Sequence, residues 1–240
     1  MGEQEDYLRL TWSHSYVEAA ISAVDFAVPK FFAAGIGHQV LAVAQASTKH
    51  GNVMLSYICT REGSRSIGFG RKLMKEIALL GSENDGSVIL DVFRTNTRAI
   101  QWYQSLNFVD ASKFGWWEPI SERPSSGRTG PVAVSGLPQA DVCHAQFGFS
   151  EFTLEVDSGS YQVGRLGSKW FRLTDPAAAC DTDLVAALNK LDPSRAVLVQ
   201  CLIDDRTASL LGDPVLESLH MSVETGRLRS NLESNSGSSL

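Results

Sequence analysis

Residues 53–70 decide the fold, and they read Val53-Met-Leu-Ser-Tyr-Ile-Cys-Thr-Arg-Glu-Gly-Ser-Arg-Ser-Ile-Gly-Phe-Gly70. The first part, up to Thr60, is apolar, partly β-branched and too short for a helix, which predicts a buried strand. A polar turn follows, and from Phe69 onward apolar residues recur at helical spacing: Leu73, Ile77 and Leu80. The stretch therefore predicts a strand, a glycine-containing turn and a helix, in that order.

A turn that opens a helix in this way can hold a phosphate group. The first N–H groups of a helix have no intrahelical partner, and the helix dipole adds positive charge there. Gly68 and Gly70 lack Cβ atoms, so a ligand oxygen can come close to the backbone, and Arg65 and Arg71 would add counter-charge. The alternative is a helix that merely begins after a loop rich in Gly and Ser.

Two common phosphate loops are excluded. A Walker loop needs Gly-Lys-Ser/Thr at its end, but Gly70 is followed by Arg71-Lys72-Leu73. The dinucleotide fingerprint needs a third glycine, which is missing here.

The turn does contain Arg65-x-x-Gly68-x-Gly70, which resembles the acetyl-CoA pyrophosphate loop (Arg/Gln-x-x-Gly-x-Gly/Ala) of the GCN5-related N-acetyltransferase superfamily. A second motif strengthens the resemblance. Val88 to Phe93 is predicted to be another buried strand, and Asn96 is a good N-cap for a short helix through about Ser105. The run Leu90–Phe108 is similar to the family's Leu-x-Val-x-x-x-Asn-x-x-Ala-Ile-x-x-Tyr-x-x-Leu-Gly-Phe.

The resemblance covers residues 53–108 well and 7–52 loosely, and it is closest to the branch that acetylates protein N-terminal amines. It implies an α/β fold with a central mixed sheet, splayed between two parallel strands and flanked by helices. Acetyl-CoA would lie along the turn at 65–71, with its pantetheine arm between strands 53–60 and 88–94. The implied cofactor contacts are Ile58, Cys59, Thr60, Arg65, Ser66, Ile67, Gly68, Phe69, Gly70, Arg71, Asn96, Ala99 and Tyr103.

Two residues are candidates for catalysis. By resemblance Tyr103 is the general acid that protonates the departing thiolate; the alternative is a core aromatic. Asp91 lies in an otherwise apolar strand, where a carboxylate is costly, twelve residues before Tyr103. The N-terminal-amine branch carries a Glu there, proposed as its base. Because Asp is one methylene shorter, a bridging water is an alternative, and so is an outward-facing Asp without a catalytic role.

Cys59 has no His near it in sequence, and we interpret it as a buried structural cysteine rather than a nucleophile. Upstream, a strand is predicted at 7–12 and a helix from the capping box at Ser15 and Glu18 to Pro29. Phe31 and Phe32 then either line the acceptor pocket or pack in the core. Strands 39–48 and 53–60 are predicted to form a hairpin; the strand that the family places before it is not recognised.

The second half begins with a linker composition that is rich in Pro, Gly and Ser. Beyond the linker, the order of predicted strands and helices indicates a degenerate, smaller second copy of the same α/β fold. We expect no catalysis there, because the phosphate motif is missing and Gln200 stands where Asp91 would. The predicted domains are 1–118, a linker at 119–145, the second copy at 146–225, and a disordered tail at 226–240.

Composition narrows the function further. A net charge of −6 over 240 residues argues against nonspecific nucleic-acid binding. Four widely spaced cysteines indicate neither zinc nor a disulfide framework, and no metal is expected. No signal peptide or membrane-length apolar run is recognised, so we expect a soluble cytoplasmic protein without a membrane partner.

The leading hypothesis is an acetyl-CoA-dependent N-acetyltransferase that transfers acetyl directly to a primary amine, either a protein N-terminus or a small amine. A homodimer is one candidate assembly for it. One alternative is a noncatalytic acyl-CoA-binding module. Another is a protein-interaction module whose partner surface is near Trp116-Trp117.

Overall fold

A computed structural model of the protein describes residues 30–82, 86–118, 132–204, 206 and 208–234. These residues form two compact units: the first holds 30–113 together with 218–234, and the second holds 114–217. The chain leaves the first unit after Lys113 and returns to it after Glu217. The predicted strand at 7–12 and the predicted helix from Ser15 lie outside the described residues.

In chain order, the elements are β1 (Lys30–Ile36), β2 (Gln39–Lys49), β3 (Asn52–Thr60), α1 (Phe69–Ala78), β4 (Ser87–Phe93), α2 (Thr97–Ser105), β5 (Val109–Trp117), β6 (Ala133–Ser135), α3 (Leu137–Phe147), β7 (Phe149–Val156), β8 (Gly159–Leu166), β9 (Trp170–Leu173), α4 (Thr182–Leu191), β10 (Ala196–Leu202), β11 (Leu216–Glu224) and α5 (Thr225–Ser234).

The strands of the first unit run in the order β1-β2-β3-β4-β11. β3 and β4 are parallel, and the other neighbouring pairs are antiparallel. A parallel pair needs a crossover, which α1 supplies between β3 and β4. The predicted hairpin of β2 and β3 is confirmed: His50 and Gly51 have φ of 50° and 81°, as a two-residue turn with two left-handed positions requires.

The core of the first unit lies on one face of its strands. Alternate residues of β3 and β4 point into it, including Val53, Leu55 and Leu90. α1 adds Leu73 and Ile77 from its apolar side, as the helical spacing predicted. The last two elements complete this core with Leu219, Met221, Val223, Leu228 and Leu232.

The predicted domain boundaries differ from the structure at the C-terminal end. The stretch 226–240 was predicted to be a disordered tail, but residues 225–234 form α5, whose Leu228 and Leu232 are buried. β11 pairs with β4 over seven residues, from Ser218–Phe93 to Glu224–Ser87, and so belongs to the first unit. The polar composition of 226–240 did not indicate a helix, because the leucines that α5 buries are only two and lie one turn apart.

The predicted linker is also shorter than expected. Residues 119–131 lie outside the described part of the chain, but residues 132–145 already contain β6 and most of α3. β6 pairs with β7, and Ala140 of α3 is buried in the second unit's core. Pro138 is compatible with a helix here because it stands in the first turn, where its missing N–H costs nothing.

The strand that the sequence did not reveal before the hairpin is β1. It pairs with β2 from Lys30–Ala46 to Ile36–Gln39, with an irregularity between Ala34 and Gly35. The Ala-Ala-Gly stretch has weak strand propensity, which is why its pattern was not recognised.

The second unit repeats this strand pattern, as predicted. Its order is β5-β10-β9-β8-β7-β6, with β9 and β10 parallel and connected by α4. The remaining pairs are antiparallel. The predicted fold class, an α/β mixed-sheet fold followed by a smaller second copy, is confirmed.

No helix within the described residues is long and apolar enough to cross a membrane.

Candidate functional site

The two parallel strands of the first unit separate partway along their length. β3 and β4 pair only through Val53–Val88, Met54–Ile89 and Leu55–Leu90, although both strands continue beyond these residues. The separation begins where β3 carries a bulge: Leu55 pairs with Ala46 and Tyr57 with Gln45, so Ser56 is an extra residue. A bulge bends its strand and ends regular pairing. The result is a split between β3 and β4, of the kind the resemblance implied.

The turn at 65–70 follows the end of β3 and leads into α1. Ser66 and Gly68 both have left-handed backbones, with φ of 68° and 96°. Such a conformation in a serine is uncommon, and it is kept mainly where a loop must present its backbone in a fixed way. The first helical hydrogen bond runs from the Lys72 N–H to the Gly68 carbonyl at 3.0 Å. The amides of Phe69, Gly70 and Arg71 therefore precede the helical bonding pattern and can donate to an anion.

The two glycines of the turn leave room that a side chain would fill. A Cβ on Gly70 would lie 3.3 Å from the Trp102 ring, tighter than an ordinary contact. Gly68 has open space around it, but its φ of 96° would strain any other residue. Both positions thus favour glycine in this structure, and the predicted close approach of a ligand oxygen to their backbone stays a prediction.

Arg71 is held in place by the C-terminal helix. Its Nη2 donates to the side-chain oxygen of Asn231 at 2.8 Å and to the Asn231 carbonyl at 3.3 Å. Its Nε is buried and finds no hydrogen-bond partner among the described residues. A buried donor without a partner costs about 1–3 kcal/mol, and an anion at the helix start would relieve that cost. The residues of the turn thus fit a pyrophosphate group.

Arg65, the other predicted basic residue, is exposed at the end of the 3-10 turn Glu62–Ser64. Ile67 is also exposed at the outer side of the turn. Their roles in holding a ligand stay predictions.

Asn96 caps α2 as predicted. Its side-chain oxygen accepts a hydrogen bond from the Ala99 N–H at 3.2 Å, which orients the start of the helix. The predicted contacts of Asn96 and Ala99 with a cofactor remain predictions. The capping itself fixes the direction in which α2 carries Tyr103.

Tyr103 is the buried residue of α2, with 8% of its surface exposed. Its ring packs against Trp102 and Phe108, with centroids 5.1 and 5.5 Å away. Burial raises the pKa of Tyr103 well above its ordinary value of 10.0. The phenol therefore stays protonated over a wider range of pH than an exposed tyrosine does.

The structure decides the orientation of Asp91, which the sequence left open. Asp91 lies in an otherwise apolar strand, and its side chain is 56% exposed. Val88, Leu90 and Val92 point into the core, so Asp91 points to the opposite face. Its carboxylate lies 2.7 Å from Nδ1 of His220, the residue directly opposite on β11. The outward-facing alternative is thus the correct description of its burial.

His220 was missed by the sequence reasoning. It lies 129 residues from Asp91 in the chain, and nothing in the local pattern links the two. Its alternation with the buried Leu219 and Met221 could have placed it on the solvent face of a strand. Only the return of the chain to the first unit brings it beside Asp91.

Cys59 also corrects a prediction, because its thiol is exposed rather than buried. It faces away from the core on the same side of β3 as Tyr57. Burial, followed by a hydrogen bond with Cys59, raises the pKa of Tyr57 above its ordinary value. Ile58, between them, packs against the core. Cofactor contacts of Ile58, Cys59 and Thr60 remain predictions.

The structure separates Phe31 from Phe32. Adjacent residues of β1 point to opposite faces, and Phe32 packs against the core. Core packing is therefore the correct interpretation for Phe32. Phe31 is aligned with Gln45 and Tyr57 across three strands, on the face that carries Asp91 and His220.

The turn at 65–70 together with Arg71 forms a cradle for an anion, and the described residues at the start of α4 in the second unit do not form a comparable one. Asp181 caps this helix, accepting hydrogen bonds from the N–H groups of Asp183 and Leu184 at 2.9 and 3.1 Å. Burial alone would raise the pKa of Asp181, but hydrogen bonds from Ser158, Tyr161 and these two amides lower it below its ordinary value. A carboxylate thus occupies the place where a phosphate would bind, which supports the expectation that this unit is not catalytic.

Trp117, predicted at a possible partner surface, is buried in the second unit with 2% of its surface exposed. Its Nε1 donates to the Gly212 carbonyl at 3.0 Å. It is a core residue there and does not present a surface for a partner.

Residues 34–117 match the family model described as FR47-like protein, a GNAT-type family. Among solved structures, a tandem GNAT protein from the clavulanic acid biosynthesis pathway is 12% identical, with a TM-score of 0.55, over 93% of this chain and 96% of that one. A protein from Pyrococcus horikoshii assigned as an acetyltransferase is 11% identical, with a TM-score of 0.61, over 92% and 85%.

A more local likeness is to the ribosomal-protein-S18-alanine N-acetyltransferase from Escherichia coli. It is 23% identical over 42% of this chain and 64% of that one, with a TM-score of 0.34. No curated protein matches the sequence. The family model covers the segment that carries both motifs, and the two full-length solved structures show that the chain has the fold of the GCN5-related N-acetyltransferases.

Proposed function

We propose that this protein, with its GNAT fold and FR47-like segment, is an acetyl-CoA-dependent N-acetyltransferase that transfers acetyl directly to a primary amine. The observation that carries the proposal is the split between β3 and β4, which follows a bulge in β3 and lies next to the glycine turn. The turn offers backbone amides and a buried arginine Nε for a pyrophosphate. The split can take the pantetheine arm of an acyl-CoA, and the turn can bind its pyrophosphate.

The residues of the chain divide the task. The amides of 69–71 and the Arg71 side chain bind the diphosphate, while Gly68 and Gly70 let it approach the backbone. When bound, acetyl-CoA supplies a thioester carbonyl that an amine can attack. Tyr103, kept protonated by burial, donates its hydroxyl proton to the departing sulfur. The amine must lose a proton as it attacks, which requires a base near the split.

The acceptor is a primary amine on the face of Phe31, Asp91 and His220. A carboxylate on this face attracts a cationic amine, and the net charge of −6 does so weakly at long range. By the sequence resemblance, a protein N-terminus is the first acceptor to test, followed by small amines.

The experiment that tests this function is calorimetric titration of acetyl-CoA and CoA into the full-length protein, followed by a thiol-release assay. Substituting Gly68→Val forces a β-branched residue to a φ of 96°, so it should abolish micromolar CoA binding. Arg65→Ala should weaken binding if its charge faces the diphosphate. Unchanged affinity in both variants would contradict the phosphate-loop assignment.

A matched control is available in the second unit. Gly167 has a φ of 53° in a turn, so Gly167→Val introduces the same kind of backbone strain away from the cradle. CoA affinity should survive in that variant, provided its melting temperature shows that the protein remains folded.

The thiol-release assay distinguishes an enzyme from the noncatalytic alternative. A protein that binds acetyl-CoA but releases no thiol with peptide α-amines, lysine side chains or small amines would be an acyl-CoA-binding module. The neutral, buried Tyr103 favours the enzyme.

A further inference from the structure

Outside the turn at 65–70, Asp91 and His220 form an ion pair on the strands of the first unit. The two residues stand directly opposite each other on neighbouring antiparallel strands, β4 and β11, with Nδ1 2.7 Å from the carboxylate oxygen. Side chains opposite one another on a sheet share a face. The pair therefore presents a carboxylate and an imidazole together on the face that lies away from the core.

The hydrogen bond fixes which nitrogen of His220 can act as a base. An ionised carboxylate only accepts hydrogen bonds, so the proton of the bond belongs to Nδ1 of the imidazole. In the neutral ring, Nε2 then carries the basic lone pair. Asp91 also stabilises the imidazolium that forms when Nε2 takes a proton, as the carboxylate does in other Asp–His pairs.

The pair is located at the opening between the parallel strands. Leu90 is the last residue of β4 paired with β3, and Asp91 follows it directly. The His220 side chain is 28% exposed, so it is anchored by its strand yet reachable from solvent. A base in a transferase must meet the amine at this point, where the two strands diverge.

We propose that His220 is the catalytic base that deprotonates the acceptor amine, and that Asp91 is a positioning residue acting through it. This inference rests on the proposed acetyltransferase function. It replaces Asp91, the base expected from sequence, with a histidine from the far end of the chain. His220 also reaches farther from its strand than the short Asp91 carboxylate, which removes the need for a bridging water.

An acceptor that arrives as an ammonium first loses one proton through His220 Nε2 to solvent, because only the neutral amine has a lone pair for attack. His220 Nε2 then takes the second proton, which the amine nitrogen loses as its lone pair forms the bond to the acetyl carbon. Tyr103 gives its hydroxyl proton to sulfur, which keeps the electron pair of the broken carbon–sulfur bond. Solvent then carries the proton from the imidazolium to the Tyr103 phenolate, and both groups return to their starting states.

The first test compares His220→Gln and Asp91→Asn with the wild type in acetyl-CoA-dependent thiol release, using an amine that the wild type accepts. We expect kcat/KM to fall about 10²- to 10⁴-fold in His220→Gln and roughly 10²-fold in Asp91→Asn. CoA affinity and melting temperature should stay close to the wild type, because neither side chain belongs to the core or the cradle. His38→Gln is the matched control, since His38 is exposed in the turn between β1 and β2.

A second readout separates a catalytic role from a structural one. Added imidazole should restore part of the activity of His220→Ala, because it supplies the missing base, and should leave the wild type unaffected. Absence of rescue, combined with a loss of CoA affinity in the same variant, would overturn the base role in favour of a structural one.

A third readout needs no turnover. Nitrogen-15 NMR of the free protein should show the neutral form of His220 as the Nδ1–H tautomer. Among the signals of the five histidines, that of His220 is the one missing from the spectrum of His220→Gln. In Asp91→Asn that tautomer should lose its preference, because the amide can also donate. An Nε2–H tautomer in the wild type would overturn the proposal.

The outcomes distinguish this inference from the proposed function. A wild type that acetylates amines while His220→Gln keeps its rate within about twofold overturns the base role alone; a true general base contributes about 10²-fold or more. A wild type that binds acetyl-CoA but releases no thiol with any amine overturns both.

Discussion

At the scale of single residues, the two parts of the proposed site have different environments. Tyr103 is buried among aromatic rings, and burial raises its pKa above the ordinary value. Asp91 and His220 lie on the face of the strands that points away from the core, and both are partly exposed. In the proposed mechanism the buried phenol donates a proton and the exposed pair accepts one.

Tyr103→Phe should lower the turnover number for acetyl transfer about 10²- to 10⁴-fold, because sulfur would leave without a proton. CoA affinity should change little, since the ring and its packing are kept. Tyr161→Phe, which removes a phenol from the second unit, is the control for loss of a hydroxyl. Wild-type turnover in Tyr103→Phe would exclude the general-acid role.

The sequence predicted the roles of residues that act on their own neighbours in the chain. Gly68 and Asn96 could be interpreted from the turn and the helix start that they form, and both have the expected backbone or capping geometry. The orientation of Asp91 stayed open in the sequence, because a carboxylate in an apolar strand can face either way until the partner strand is known. His220 could not be connected to it, since strand pairing over 129 residues leaves no local pattern.

At the scale of elements, α5 is the feature that stabilises the cradle. It contacts α1 at both ends: Asn231 holds Arg71 near the start of α1, and Arg229 donates to the carbonyls of Ala78 and Gly81 at its end. α5 thus runs antiparallel to α1, and Leu228, the residue before Arg229, is fully buried. The sequence did not predict this helix, because its mean composition is polar and its apolar face is narrow.

Leu228→Ala should lower the free energy of unfolding of the first unit by about 2–5 kcal/mol, the usual cost of removing a fully buried leucine. It should also weaken CoA binding, because α5 carries the side chain that holds Arg71. Urea denaturation and calorimetry measure the two effects.

Glu233→Ala, an exposed position in the same helix, serves as the control and should change stability by no more than about 0.5 kcal/mol. A Leu228→Ala protein as stable as this control would show that the docking of α5 is dispensable.

At the scale of the whole molecule, the chain completes its first unit last. The sequence order of strands and helices correctly predicted two copies of one α/β pattern. It did not predict that β11 would join β4, because the alternation of buried and exposed residues in β11 is compatible with either unit. The hydrophobic pattern determines which face of a strand is buried, but it does not determine which other strand pairs with it.

A fragment of residues 1–118 should therefore fail to fold into a CoA-binding unit. It lacks β11, so β4 loses its antiparallel neighbour, and it lacks the buried Met221 and Leu228. Circular dichroism and acetyl-CoA titration of the fragment measure this.

A fragment of residues 1–234 is the matched control and should bind as the full chain does. A folded, CoA-binding 1–118 fragment would contradict the need for the C-terminal elements.

The late return of the chain also has a consequence for synthesis on the ribosome. The turn at 65–70 emerges early, but the strand and helix that complete its unit, ending at Ser234, are translated only after the entire second unit. At roughly 5–20 residues per second, the half-built unit waits on the order of 6–23 seconds. During that time its open β4 edge is a site for chaperone binding or for pairing with another nascent chain. A chain released before Asn231 has been translated lacks the residue that holds Arg71, so its turn at 65–70 is left without that support.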